Sequence, residues 1–68
     1  MIKVRLEAAL ARKGMTLGEL ADKVDITLTN MSLLKNNKVR GVRFETLSKI
    51  CEVLECQPGD ILEYEKDK

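Results

Sequence analysis

Apolar residues in the middle of the chain recur every three or four positions and predict two short helices separated by a sharp turn. The apolar face of the first helix consists of Leu17, Leu20, Ala21 and Val24. Thr16 stands just before this helix and Glu19 follows three residues later, which is the spacing of a capping box. After a short break, Thr27 can cap a second helix in which Met31 and Leu34 face the same core.

The opposite face of the second helix is polar but carries no acidic group. At about 100° per residue, this face holds Thr29, Ser32, Leu33 and Asn36, with Asn30 at its edge. A solvated helix face more often alternates Glu with Lys. A helix that enters a DNA major groove instead needs short hydrogen-bonding groups, an apolar atom for a thymine methyl group and no carboxylate near the phosphates. The pattern therefore favours a helix that reads nucleic acid.

A basic segment follows, with Lys35, Lys38, Arg40 and Arg43 along it and Gly41 as its pivot. These cations are expected to lie where a DNA backbone would run beside the groove. A solvated loop is the alternative interpretation of the same residues.

Other apolar positions predict three further helices and an all-α, compact five-helix domain spanning residues 1–68. Helix 1 is expected over residues 6–13, with Gly14 as its C-terminal cap. Helix 4 is expected over residues 44–55, with a core stripe of Phe44, Leu47, Ile50, Cys51 and Leu54. Pro58 at a first helical position predicts a short helix 5 that ends near residue 62.

Both ends of the chain show a period of two. Ile2 and Val4 alternate with basic residues, and Leu62 and Tyr64 alternate with acidic ones. Strand pairing of the two ends, within one chain or across a dimer, would permit cross-strand ion pairs. Fraying of both termini, including the charged tail at residues 63–68, is the competing interpretation.

Charge is distributed unevenly along the 68 residues, although the net charge is only +1. Residues 1–43 hold nine Lys or Arg against four Asp or Glu, a balance of +5, whereas residues 44–68 hold three against seven, a balance of −4. A domain with one basic face suits a polyanionic partner. The chain is too short for a catalytic cleft with a lid, and apolar residues at 44% suffice for a small core.

The chain has two cysteines and no histidine. Cys51 and Cys56, if both lie in or beside one helix, are expected to point away from each other and not to bridge. Two thiols without histidine do not make a zinc site, so no metal and no cofactor are expected. Because no secretory or membrane-spanning segment is apparent, a cytoplasmic protein with no membrane partner is predicted.

The segment Thr16–Lys38 resembles the helix-turn-helix of the phage-repressor and Cro family, also called the Xre family. The match consists of Thr-Leu-Gly-Glu-Leu-Ala, a short elbow, and Thr-Leu-Thr-Asn-Met-Ser-Leu-Leu-Lys-Asn-Asn-Lys. The later Leu47…Leu54…Pro58-Gly59-Asp60-Ile61-Leu62 pattern is similar to the closing part of small stand-alone bacterial members. Two positions depart from the family pattern. Asp25 occupies an elbow position that is often glycine, and Asn36-Asn37 replaces the usual Asn-Gly.

The resemblance implies a transcriptional regulator that binds double-stranded DNA sequence-specifically, with a helix-turn-helix at about residues 16–36 formed by helices 2 and 3. The residues it implies for reading bases are Leu28, Thr29, Asn30, Ser32 and Leu33. Those implied for the DNA backbone are Thr16, Thr27, Lys35, Asn36, Lys38, Arg40 and Arg43. Helix 1 adds Arg5, Arg12 and Lys13 as candidates for phosphate contacts. A homodimer on a palindromic operator is expected, because one helix reads only a half-site.

Two other classes of function compete with this one. An enzyme is disfavoured, because the chain has no Ser-His or Cys-His pair and no phosphate-binding glycine loop. A protein-interaction module, antitoxin-like or the partner of a sensor, would use Leu28 and Leu33 as an exposed apolar pair. The basic segment favours DNA over that alternative.

Overall fold

The computed structural model describes residues 1–66 as four α-helices and a two-stranded sheet. The elements in chain order are β1 (Ile2–Val4), α1 (Leu6–Lys13), α2 (Leu17–Lys23), α3 (Leu28–Lys35), α4 (Phe44–Leu54), a 3₁₀ turn (Pro58–Asp60) and β2 (Leu62–Tyr64). The last two residues of the expected charged tail, Asp67 and Lys68, lie outside the described residues. The helical bounds agree with the predicted ones to within a residue or two.

Side chains from all four α-helices and both strands meet in one core. Its fully buried members include Leu6, Leu20, Val24, Met31, Ile50 and Ile61. Most come from inward positions of the helices, whereas Val24 is the residue just after α2 and Ile61 is the residue after the 3₁₀ turn. Burial of these apolar side chains supplies the main favourable term for folding.

All four α-helices end in the same way. The chain turns through a left-handed residue at Gly14, Asp25, Asn37 and Glu55, with φ of 62°, 59°, 60° and 51°. In each case the next residue donates its backbone N–H to a carbonyl five positions earlier, at 3.0, 2.9, 2.8 and 3.0 Å in chain order. This is the Schellman arrangement, which satisfies the last carbonyl groups of a helix and reverses the chain sharply. The expected left-handed conformation at Asp25 is confirmed.

The two central helices begin at hydroxyl caps. Thr16 Oγ1 accepts the Glu19 backbone N–H at 3.1 Å, while Glu19 Oε1 accepts the Thr16 N–H at 3.0 Å. Thr27 Oγ1 accepts the Asn30 N–H at 3.2 Å. The predicted capping box and the predicted cap of α3 are therefore both confirmed.

The chain termini pair as an antiparallel sheet, with Ile2 opposite Tyr64 and Val4 opposite Leu62. Arg5, just after β1, forms ion pairs with Glu63, at 3.1 Å, and with Glu65. The extended-termini prediction is confirmed, and the pairing occurs within one chain. The all-α description is correspondingly too simple, because the fold includes this small sheet.

The fifth helix and one predicted core residue need correction. Pro58 does occupy the first position of its turn, but the turn is a three-residue 3₁₀ segment that ends at Asp60. Leu62 has already joined β2, so sheet pairing with β1 ends the helical run. Phe44 was predicted in the core stripe and is 86% exposed. It is the first residue of α4, where the helix has not yet reached the core.

The expectation that the two cysteines point apart is also wrong. α4 ends at Leu54, and the reversal at Glu55 brings the Cys56 N–H to 3.0 Å from the Cys51 carbonyl oxygen. Both side chains are half-buried and line the same apolar hollow. The prediction applied helical geometry to two cysteines in or beside one helix, and the left-handed turn at Glu55 takes Cys56 out of that geometry.

Candidate nucleic-acid interface

α3 exposes the side chains that its sequence pattern assigned to base reading. Leu28 is 55% and Leu33 is 42% exposed. Thr29 and Asn30 are exposed, and Ser32 is half-buried. Met31 and Leu34 lie on the other side of the helix and are buried. The buried pair fixes which side of α3 faces outward, because a helix can turn only one stripe to the core.

The caps leave donor capacity at the two threonine hydroxyl groups. Each of Thr16 and Thr27 uses one oxygen lone pair to accept a backbone N–H. A hydroxyl group also has one hydrogen to donate and a second lone pair. Both side chains are exposed and can therefore donate to a phosphate oxygen while they still cap their helices.

The Schellman turn at the end of α3 places the first basic residue of the loop. Asn36 is the exposed C-terminal cap of the helix, and its N–H is bonded to the Ser32 carbonyl at 3.0 Å. The Lys38 N–H is bonded to the Leu33 carbonyl at 2.8 Å. This bond fixes the backbone of Lys38 beside the end of α3, next to the face predicted to read bases.

Another hollow joins α3, the basic loop and the start of α4. Asn30, Val39, Arg43 and Thr46 all line it. Arg43 precedes α4, and its carbonyl accepts the Leu47 N–H at 2.9 Å. One predicted base-reading residue and one predicted backbone residue therefore border the same space. Thr46 is half-buried and was not among the predicted site residues. Its position in the first turn of the predicted helix 4 is the sequence signal that could have pointed to it.

The surface formed by α3 and the loop after it carries basic side chains and no acidic ones. Residues 26–43 contain Lys35, Lys38, Arg40 and Arg43 and no Asp or Glu. The last three of these cations are exposed. Lys35 is less available, because its amino group lies 3.5 Å from a Glu7 carboxylate and its side chain is only 32% exposed.

Two helix 1 candidates for phosphate contacts are engaged elsewhere. Arg5 pairs with Glu63 and Glu65, and Lys13 pairs with Glu55. The Lys13 hydrogen bond, with the charge of the same amino group, holds the pKa of the Glu55 carboxyl below its usual range. These cations neutralise the acidic end of the molecule, so the basic surface is concentrated on α3 and the loop after it.

Within residues 1–66, no cluster of three or more His, Cys, Asp or Glu side chains is arranged to hold a metal ion. The helices among these residues are too short and too polar to cross a membrane.

The fold and this surface define a DNA-binding domain of the helix-turn-helix class. Residues 5–67 match the model of the Cro/C1-type HTH DNA-binding domain, and the chain belongs to that family. It is similar to the uncharacterized HTH-type transcriptional regulator YozG of Bacillus subtilis (strain 168), with 48% identity over 67 residues. That alignment spans 98% of this chain and 80% of the relative.

A solved structure shows the same architecture. The crystal structure of a candidate DNA-binding protein from Bacteroides fragilis superposes with a TM-score of 0.80 at 25% sequence identity. The match covers 93% of this chain and all of that one. The overall fold of this chain has therefore been observed by crystallography in a similar protein.

Proposed function

We propose that this protein is a cytoplasmic transcriptional regulator that binds double-stranded DNA sequence-specifically through a helix-turn-helix formed by α2 and α3. One observation carries the proposal. The face of α3 that the core leaves exposed contains short polar and apolar side chains, and the loop after it carries Lys38, Arg40 and Arg43 and no acidic residue. This combination suits a helix in the major groove with phosphates on its flank.

Individual side chains take different roles in this proposal. Asn30 can bond bidentately to an adenine, and Leu28 or Leu33 can contact a thymine methyl group. Lys38, Arg40, Arg43, Asn36 and the caps Thr16 and Thr27 hold the sugar-phosphate backbone. Lys35 contributes less to phosphate binding than the other cations, because its amino group is paired with the Glu7 carboxylate.

The test is fluorescence anisotropy with DNA from upstream of the protein's own coding region and a scrambled duplex, at several salt concentrations. We expect tighter binding to the native duplex, with log K falling steeply as log salt rises. Equal, weak binding to both duplexes would remove the assignment of specificity to that site. Absence of binding at low salt would contradict the DNA proposal and favour the protein-interaction module.

Two substitutions separate base reading from backbone binding. Asn30→Ala should change sequence preference by about 1–3 kcal/mol at one base pair, whereas Lys38→Ala should weaken all duplexes alike and lower the salt slope by about one. Lys3→Ala is the matched control. Lys3 lies on β1 opposite Glu63, so this variant removes the same charge from the terminal sheet. Unchanged preference in Asn30→Ala would disprove the role given to Asn30.

We further propose that two chains bind a palindromic operator, because each α3 reads one half-site. The exposure of the apolar side chains of Ile2 and Tyr64 supports self-association. They face each other across the terminal sheet and are 59% and 68% exposed. Sedimentation of the protein with a palindromic duplex should show two chains per duplex, and Tyr64→Ser should reduce that number at low concentration. One chain per palindrome at saturation would contradict the dimer.

A further inference from the structure

The two cysteines occupy the paired apolar positions of a Schellman turn. In such a turn the residue after the left-handed one packs against the residue five positions before it. The ends of α1 and α2 illustrate this, since Leu10 and Ala21 are buried where Met15 and Ile26 return over them. At the end of α4 the corresponding residues are Cys51 and Cys56.

Two observations place the two cysteines side by side. The Cys56 N–H is bonded to the Cys51 carbonyl at 3.0 Å, which fixes the two backbones side by side. Both side chains line one hollow with Leu47, Pro58 and Leu62. A disulfide requires neighbouring side chains that converge, and this turn provides them.

We propose that Cys51 and Cys56 form a reactive dithiol that small-molecule disulfides oxidise to an intramolecular disulfide. The Cys51 thiolate attacks one sulfur of the reagent RSSR, whose S–S bond breaks and releases RS⁻. Cys56 then loses its proton and attacks the Cys51 sulfur, which releases the second RS⁻. The two protein thiols lose two electrons, and RSSR is reduced to two RSH that carry the two thiol protons.

The surroundings determine which step is slow. Burial raises the pKa of the Cys56 thiol, and the neighbouring Cys51 and the Asp60 carboxylate add to this increase. Arg12 of α1 acts in the opposite direction. The raised pKa leaves little Cys56 thiolate near neutral pH, which slows the closing step in which Cys56 attacks.

The disulfide site is separate from the proposed DNA surface. The hollow around the thiols is lined by residues of α4, the 3₁₀ turn and β2, with none from α2 or α3. Closing the disulfide ties the end of α4 to the segment that leads into the sheet. We expect operator affinity to stay within about twofold of that of the reduced protein, since a twofold change is near the scatter expected for distant, independent sites.

The experiment treats the folded, reduced protein with oxidised glutathione at low protein concentration and measures its intact mass. We expect a monomer that has lost two hydrogen atoms, retains no glutathione and no longer reacts with iodoacetamide. Protease cleavage after Glu52 or Glu55 should leave the two cysteine peptides joined until a reductant is added. Cys51→Ser and Cys56→Ser are the matched controls, and each should stop as a single stable glutathione adduct.

Three results would overturn the proposal. The first is a wild-type protein that keeps glutathione on either thiol, and the second is a disulfide-linked dimer on a non-reducing gel. The third is folded protein that does not react under conditions that oxidise it in urea. Because the assay contains no DNA, its outcome is independent of the proposed function, and circular dichroism of each Ser variant verifies that the controls are folded.

Discussion

Asn37 joins two parts of the fold that are far apart in sequence, and its substitution gives the sharpest test of the structure. Its side-chain oxygen accepts the Val4 N–H at 2.7 Å, and its amide group donates to the Val4 carbonyl at 3.4 Å. Its own backbone is left-handed, with φ of 60°. The residue therefore ends α3 and holds the outer edge of β1 at the same time.

The two roles can be separated by comparing two variants. Asn37→Gly removes both side-chain bonds but keeps a residue suited to positive φ, and should cost about 1 kcal/mol because the bonds are exposed. Asn37→Ala removes the same bonds and leaves at positive φ a side chain that, unlike that of asparagine, cannot hydrogen-bond locally to offset the left-handed conformation, so it should cost about 2 kcal/mol in total. For a domain of this size, 2 kcal/mol corresponds to a fall in Tm of about 10 °C.

Urea unfolding followed by circular dichroism measures both costs, and amide hydrogen exchange shows where they act. We expect faster exchange at the Val4 N–H in either variant. Asn36→Ala is the control, because the neighbouring asparagine has an ordinary φ of −90°, and its effect on stability should stay within about 0.5 kcal/mol. If Asn37→Ala were no less stable than Asn37→Gly, the left-handed turn would be wrong. If Asn37→Gly matched the wild type in stability and exchange, the link to β1 would contribute nothing.

Three further substitutions test the helices that carry the proposed site. Thr27→Ala removes the cap of α3 and should lower the free energy of unfolding by about 1 kcal/mol in urea titrations; an unchanged midpoint would refute the cap. Met31→Ala empties a fully buried position and should cost about 2–5 kcal/mol, whereas the exposed Leu33→Ala should weaken DNA binding with little loss of Tm; equal losses of Tm would contradict the assigned faces of α3. The hydrogen bond to the Thr16 backbone, followed by that to its side chain, lowers the pKa of Glu19 below 4.5. The stability that the ionised Glu19 carboxylate contributes is therefore fully present above pH 4.5 and is lost as the pH falls below it. Glu19→Gln should reduce the acid sensitivity of Tm in that range. An unaltered dependence of Tm on pH would exclude this contribution.

The central part of this fold could be predicted because its determinants are local. A hydroxyl residue with Glu three positions later identifies the start of α2, since both bonds of a capping box lie within one turn. The buried faces of α1, α2 and α3 follow from apolar spacing, since a helix with one apolar stripe can bury only that stripe. Asp25 could be expected in a left-handed turn because its short polar side chain tolerates that conformation.

The candidate site was predictable to a similar degree. The exposed face of α3 is the complement of its buried face, so Thr29 and Asn30 were placed by the same periodicity. It was not predictable which of the cations are paired with carboxylates. The contacts of Lys35 with Glu7, and of Lys13 with Glu55, join different elements and depend on how the helices pack.

Other features were decided by the tertiary structure alone. The sequence places Phe44 in phase with the core stripe of α4, but only the packing of the helices shows that its first turn extends beyond the core. Glu55 gives no local signal for positive φ, so the turn that brings Cys51 and Cys56 together was not visible. The bond between Asn37 and Val4 spans 33 positions of the chain. Hydrophobic periodicity and helix capping depend on residues within about one turn of helix, so they can be predicted from a short stretch of sequence. The tertiary contacts described above form only when segments that are distant in sequence pack into one core.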